Sequence, residues 1–178
     1  DEGSGYALGL AALRAVLRRH DGVGEDTLLG QGLKTALKLR AWEDIVAAAY
    51  KDKWLDRTVI ASLAPVVFEA VEAGDRQACQ IVETEGKTLG AQVASVAARL
   101  GLAAGAPVAG CGGLMSNDKY LRPSIEAGIE AAGGSLSWRS PLLPPVLGAA
   151  LIARRLSGTA ATVQETVVWN QDLLRYMR

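Results

Sequence analysis

The spacing of apolar residues along the chain predicts a protein built mostly of helices. Leu10, Leu13 and Leu17 recur three and four positions apart, which is the spacing of one face of an α-helix. Seven further stretches show the same period, and Pro65 predicts a break inside one of them because proline lacks a backbone donor. The predicted helices cover residues 6–19, 26 or 27 to 37, 42–50, 58–73, 76–100, 120–132, 146–156 and 162–177.

Two short apolar stretches, residues 108–111 and 135–138, predict strands. A helix separates them, and a strand–helix–strand order predicts parallel strands joined by a right-handed crossover. Two strands alone do not form a stable sheet. We therefore predict an α/β fold whose sheet has further strands on the N-terminal side, and we expect the chain, which begins without methionine, to be one domain of a longer protein.

A glycine pair, Gly112-Gly113, lies between the first predicted strand and the helix after it. Glycine allows positive φ and close approach to the backbone. The following helix start offers unpaired N–H groups and the positive end of a dipole. Such a corner suits a nucleotide, and it also fits an ordinary tight turn between a strand and a helix.

Polar residues in the chain predict local features of the helices. Ser4, Asp56 and Asp75 each precede a helical stretch and are predicted N-caps. Other carboxylates, Glu85 among them, are predicted to be solvated. The long helix over residues 76–100 is rich in alanine and glycine, which predicts close packing against another helix. Its predicted apolar side consists of Ala78, Ile81, Val82, Leu89, Val93, Val96 and Ala97.

Composition excludes several classes of function. Of the 178 residues, 19 are Lys or Arg and 19 are Asp or Glu, so the charge argues for neither nucleic acid nor an anionic membrane surface. No apolar run is long enough to span a membrane. Cys79 and Cys111 lack metal or redox spacing and are predicted to be buried thiols in a reducing compartment. The only histidine, His20, is predicted to end a helix. No nucleophile–base pair and no phosphate-loop motif is present.

The opening Asp1-Glu2-Gly3-Ser4-Gly5-Tyr6 resembles a signature of the N-acetylglucosamine kinases, which are grouped with the BadF/BadG-type ATPases. The similarity continues in family order through Ile60-Ala61-Ser62-Leu63-Ala64-Pro65, Glu72-Ala73-Gly74-Asp75, the strand and turn over 109–113, and Pro144-Pro145-Val146-Leu147-Gly148-Ala149. It covers nearly the whole chain and is weakest in the last twenty residues. No single motif is decisive, but their order and spacing together are specific.

The resemblance implies the two-domain fold of sugar kinases and actin-like ATPases, in which each domain contains a ribonuclease-H-like sheet and ligands bind in the cleft between the domains. Residues 1–178 then form the C-terminal domain. The implied reaction is transfer of a phosphoryl group from ATP, with Mg²⁺, to the 6-hydroxyl of N-acetylglucosamine. A cytoplasmic homodimer is implied as well. The general base and phosphate loop are expected in the N-terminal domain, so no catalytic or metal-binding residue is predicted here.

The resemblance also implies roles for individual residues. Asp1 matches the aspartate that hydrogen-bonds sugar hydroxyls. Gly112 and Gly113 match the turn against which adenosine lies. Asn117 falls where a polar residue contacts the nucleotide, and it could equally cap the following helix. Ser62 matches a small residue beside adenine, although it could simply pack within its helix.

Two alternatives remain open. One is an ATPase activator of a 2-hydroxyacyl-CoA dehydratase or benzoyl-CoA reductase, which needs cysteines for a bridging iron–sulfur cluster. The other is a module that binds sugar or nucleotide without turnover.

Overall fold

The computed structural model describes residues 1–159 together with Thr162, Glu165, Val168 and Trp169. In chain order its regular elements are α1 Gly5–His20, α2 Leu29–Leu37, α3 Asp44–Val46, a π-helical turn Ala47–Lys51, α4 Arg57–Ala61, α5 Ala64–Glu72, α6 Arg76–Arg99, β1 Ala106–Val108, a 3₁₀ turn Gly113–Asn117, α7 Asp118–Ala131, β2 Leu136–Trp138 and α8 Pro145–Leu156. The described residues are thus mostly helical, as predicted.

These residues divide into two compact units. The larger unit contains Asp1–Ala106 and Ser116–Leu136, and therefore α1 to α7. The smaller unit contains Pro107–Met115 and the described residues from Ser137 onward, including α8 and the glycine turn.

The core of the larger unit forms around α1, which packs against α2, α4, α5 and α6. Removing apolar side chains from water is the main favourable contribution to such packing. The largest fully buried side chains are Leu8, Leu29, Leu33, Leu63, Val67 and Leu121.

The predicted caps are confirmed. Ser4 Oγ accepts from the Ala7 N–H at 3.2 Å, and an Asp56 carboxylate oxygen accepts from the Val59 N–H at 2.9 Å. Each bond satisfies a backbone donor that has no partner inside its helix. The break at Pro65 is also confirmed, because α4 ends at Ala61 and α5 begins at Ala64. His20 is the last residue of α1, as predicted.

Asp75 caps α6 and also anchors the segment before α2. Its carboxylate accepts from the Ala78 N–H at 2.7 Å, the Leu28 N–H at 2.5 Å and the Thr27 hydroxyl at 3.1 Å. The residue is only 6% exposed. These bonds offset the cost of burying a charged group.

Helices α6 and α7 cross closely, as the small residues of α6 predicted. The buried stripe of α6 consists of Ala78, Val82, Gly86, Gly90 and Ala94. The predicted apolar side was therefore partly wrong. Val96, for example, is 53% exposed, because the buried stripe follows every fourth residue and the small residues occupy it.

β1 and β2 form a two-stranded sheet. The Gly105 N–H donates to Ser135 O and the Arg139 N–H donates to Val108 O. Because the residue numbers of the bonded partners increase in the same direction along both strands, the strands are parallel, as predicted. The predicted strand over 108–111 was misplaced by two to three residues. β1 ends at Val108, since the chain then enters the glycine turn.

Other boundaries also differ from the predictions. The helix predicted over 42–50 is the short α3 followed by a π-helical turn. α2 begins at Leu29, where the Thr27 hydroxyl accepts from the Leu29 N–H at 3.2 Å. Pro123, predicted in the first turn of its helix, is the sixth residue of α7. The predicted helix over 162–177 lies almost entirely outside the described residues.

No helix in the described part of the chain combines the length and the hydrophobicity that a membrane span requires.

Candidate functional site

The turn that carries Asp1 is fixed at its centre by Gly3. Gly3 is buried and has φ of 71°, a conformation that favours glycine. Its N–H donates to Glu85 Oε2 of α6 at 2.9 Å. A Cβ at this position would lie 2.7 Å from Leu89 Cβ, so only glycine fits. The opening turn is therefore held against α6 in a defined conformation.

The Asp1 carboxylate points to solvent and forms an ion pair with Arg57, the first residue of α4. The Arg57 guanidinium lies 4.6 Å from the ring centroid of Tyr6 in α1, within cation–π range. Both side chains of the ion pair are about half exposed or more. The carboxylate is accessible, yet it has a defined partner.

A shallow groove of about 170 Å³ runs beside this turn. Its charged and polar lining comprises Asp1, Glu2, Tyr6, Arg14 and Glu85. The Glu2 carboxylate also accepts from the Gln92 amide at 2.9 Å. The backbone N–H of Glu2 and, second, this amide hold the pKa of Glu2 below its usual value. Such a lining can accept hydrogen bonds from a ligand rich in hydroxyl groups.

Ser62 lies at the other end of α4 and is exposed. Its hydroxyl donates to Val59 O at 2.7 Å, a local bond that closes the helix end. Ser62 follows Arg57 by five residues, which is about 7.5 Å along a helix axis. Helix α4 thus begins with Arg57, the ion-pair partner of Asp1, and is followed at its C-cap by Ser62, a second predicted site residue.

The glycine turn belongs to the smaller unit. Gly112 has φ of 105°, so positive φ is confirmed there, whereas Gly113 has no positive φ. A Cβ on either glycine would meet nothing within 4 Å. Neither backbone conformation nor packing in the described structure therefore requires glycine at position 113, and the surface of the turn is open.

Asn117 occupies the N-cap position of α7 but makes no side-chain capping bond. Its amide donates to Ser116 Oγ at 3.3 Å. The prediction that Asn117 could cap the helix is thus confirmed for its position and wrong for its side chain. Asp1, Ser62 and Asn117 belong to the larger unit and Gly112 and Gly113 to the smaller one.

Sequence reasoning missed a polar cluster between α5 and α7. Glu72 Oε1 accepts from Lys119 Nζ at 2.6 Å and from the Tyr120 hydroxyl at 3.0 Å. The Tyr120 ring stacks on Phe68 with centroids 6.3 Å apart. The Lys119 bond, followed by the Tyr120 bond, lowers the pKa of Glu72, and the Glu72 bond raises that of Lys119. No local pattern links residues 47 positions apart.

Arg57 and Glu85 were missed for the same reason, since both act on residues distant in sequence. The prediction that Cys79 and Cys111 are buried was wrong, because both thiols are exposed. Cys79 lies on the solvent side of α6 and Cys111 in the open glycine turn. Within the described ranges, no three His, Cys, Asp or Glu side chains are grouped so that they could hold a metal ion.

The profile of the BadF/BadG/BcrA/BcrD ATPase family matches residues 1–153. The chain belongs to this family. The resemblance inferred from the opening hexapeptide and the later motifs is therefore confirmed. Membership implies an actin-like ATPase fold, with which the helix-rich architecture and small parallel sheet agree.

Two relatives carry names that describe sugar kinases. An N-acetyl-D-glucosamine kinase of Dictyostelium discoideum is 37% identical over 102 residues, which cover 57% of this chain and 32% of that protein. An N-acetylmuramic acid/N-acetylglucosamine kinase of Clostridium acetobutylicum is 30% identical over 155 residues, which cover 86% of this chain and 50% of that protein. The chain thus spans half or less of the length of each relative.

Proposed function

We propose that this chain is the C-terminal domain of a two-domain sugar kinase that phosphorylates the 6-hydroxyl of N-acetylglucosamine with ATP. The observation that carries the proposal is the opening turn, in which Gly3 and Glu85 fix the backbone while Asp1 presents an accessible carboxylate beside a polar groove. The names of both relatives support the choice of an N-acetylated amino sugar.

In this proposal Asp1 accepts hydrogen bonds from sugar hydroxyls. A carboxylate offers about four lone-pair positions, so it can orient two hydroxyls at once. The residue transfers no proton. Its contribution is to hold the sugar in one orientation, and such positioning accounts for much of the catalysis in phosphoryl transfer.

Adenosine would lie on the glycine turn, where Gly112 and Gly113 leave the backbone uncovered. Ser62 would line the adenine side and Asn117 would contact the nucleotide. Mg²⁺–ATP supplies the phosphoryl group, and Mg²⁺ in such sites is bound largely by phosphates and water. We further propose that the general base and the phosphate loop lie in the N-terminal domain, and that the protein is a cytoplasmic homodimer.

The test is ADP release by the full-length protein that contains this chain, measured with N-acetylglucosamine, N-acetylmuramic acid, glucose and no sugar. The proposal expects ADP release that requires N-acetylglucosamine and is weak with glucose. Asp1→Asn should then raise the KM for the sugar, because the amide keeps the shape of the side chain but loses its charge. The KM for ATP should stay nearly unchanged, because Asp1 is not proposed to contact the nucleotide.

Other outcomes would contradict the proposal in different ways. ATP turnover that ignores sugar would favour the activator ATPases of the same family. The exposed positions of Cys79 and Cys111 make this alternative worth testing, by iron and sulfide analysis of protein purified without oxygen. Binding of sugar or nucleotide without turnover would indicate a sensing module.

A further inference from the structure

We propose that Arg57 is a positioning residue for the sugar and acts by holding the Asp1 carboxylate. The inference rests on the proposed function, because it gives Asp1 the role of sugar ligand. Arg57 is the side-chain cation that contacts this carboxylate in the described structure. Without it, Asp1 would be an exposed side chain free to adopt several rotamers.

Arg57 is itself restrained at both ends. Its backbone starts α4, whose first turn is capped by Asp56. Its guanidinium lies over the Tyr6 ring, 4.6 Å from the centroid. A guanidinium that is restrained by a helix start and by an aromatic face restricts the rotamers of the carboxylate paired with it. Sugar binding then orders fewer side chains, and this lowers the entropic cost of binding.

The ion pair does not prevent Asp1 from binding sugar. A guanidinium uses one or two N–H donors on a carboxylate, whereas the carboxylate can accept about four hydrogen bonds. Lone pairs therefore remain for sugar hydroxyls while Arg57 stays in place. The pair is also partly exposed, with 64% of the Arg57 side chain accessible, so a ligand can reach it.

The experiment measures steady-state kinetics of the full-length protein for Arg57→Ala, Arg57→Lys, Tyr6→Phe and Tyr6→Leu. Arg57→Ala should raise the KM for the sugar about two- to fivefold, which is the upper part of the range expected for loss of a partly exposed ion pair. Its kcat, its KM for ATP and its Tm should stay close to those of the unsubstituted protein. Arg57→Lys should recover part of the loss because it keeps the charge. Tyr6→Leu should raise the KM for the sugar about twofold relative to Tyr6→Phe, because only Tyr6→Leu removes the aromatic face on which the guanidinium lies.

Arg18→Ala is the matched control. This substitution also removes one positive charge, but from a residue of α1 that follows Tyr6 by twelve positions, about 18 Å along the helix axis. A similar rise in the KM for the sugar in this variant would mean that general electrostatics cause the effect, and it would overturn the inference.

A double-substitution cycle with Asp1→Asn decides whether Arg57 acts through Asp1. We expect Arg57→Ala to add little to Asp1→Asn, because the carboxylate it positions is already gone. Effects that multiply would overturn the inference, as would a lower KM for the sugar in Arg57→Ala, since Arg57 would then compete with the sugar for Asp1. If the unsubstituted protein releases no ADP with any sugar, the proposed function itself fails.

Discussion

The crossing of α6 and α7 gives the most direct test of the packing in the larger unit. A Cβ on Gly90 of α6 would lie 2.1 Å from Ile125 O and 2.9 Å from Gly128 Cα of α7. All these neighbours are backbone atoms, which cannot rotate away as the end of a side chain can. A substitution of Gly90 by alanine must therefore push the two helices apart.

The expected magnitude follows from two opposing effects. Alanine favours a helix interior over glycine by about 1 kcal/mol. Against this, a relaxed carbon–oxygen contact is about 3.3 Å, so the helices must separate by roughly 1.2 Å at the crossing. Overpacking of this kind costs about 3 kcal/mol. Gly90→Ala should thus lower the free energy of unfolding by about 2 kcal/mol, which is a fall in Tm of about 4–8 °C for a chain of 178 residues.

Far-UV circular dichroism during heating and in urea measures this change. Gly30→Ala in α2 is the matched control, since the Cβ nearest neighbour there, Val16 Cγ1, is 3.8 Å away. That variant should keep or slightly raise the Tm, as helix propensity predicts. A Tm for Gly90→Ala equal to that of Gly30→Ala would refute the close crossing.

Two further predictions concern carboxylates. Asp75→Ala should lower the free energy of unfolding by about 2–3 kcal/mol in urea titrations, because α6 loses its cap and the N–H groups that Asp75 satisfied lose their acceptor. Asp75→Asn should cost less, since it keeps one oxygen, and an equal loss would contradict the acceptor role. For Glu72, whose pKa is lowered in the folded protein, the stabilisation is complete above its unfolded value near 4.5 and is lost as the pH falls through the folded value. Lys119→Met should raise the pKa of Glu72 toward 4.5 in a carbon-detected NMR titration, and an unchanged pKa would count against the Lys119 bond as the main cause.

Local chemistry explains which parts of the fold could be predicted from the sequence. The caps at Ser4, Asp56 and Asp75 depend on a side chain and a backbone N–H three residues later. The helix break near Pro65 depends on one proline. Features that depend on neighbours in sequence need no knowledge of the fold, and these predictions are confirmed.

Predictions that depend on distant partners were less successful. The strand predicted over 108–111 was displaced, because the position of β1 is set by its hydrogen bonds to residues about thirty positions later. The apolar side of α6 was misjudged because glycine and alanine carry little hydrophobic signal, yet they occupy the buried stripe. The exposure of both cysteines likewise depends on what packs over them.

The candidate site shows the same division. The family motif identified Asp1, Ser62, Gly112, Gly113 and Asn117, and their roles remain predictions. The residues that fix the opening turn and its carboxylate, Glu85 and Arg57, lie more than fifty positions away from it. No spacing rule reaches that far, so they could be found only from the folded structure.

The packing of α4 on α1 bears on whether the proposed sugar and nucleotide sites act independently. A Cβ on Gly9 of α1 would lie 2.0 Å from Ile60 O of α4, so the two helices touch through their backbones. The helix between Arg57 and Ser62 is only five residues long. A displacement of α4 would therefore move both residues, but the backbone contact with α1 opposes such a displacement. This contact agrees with the expectation that Asp1→Asn and Arg57→Ala leave the KM for ATP nearly unchanged, and a change in that KM would show instead that the two proposed sites are coupled through α4.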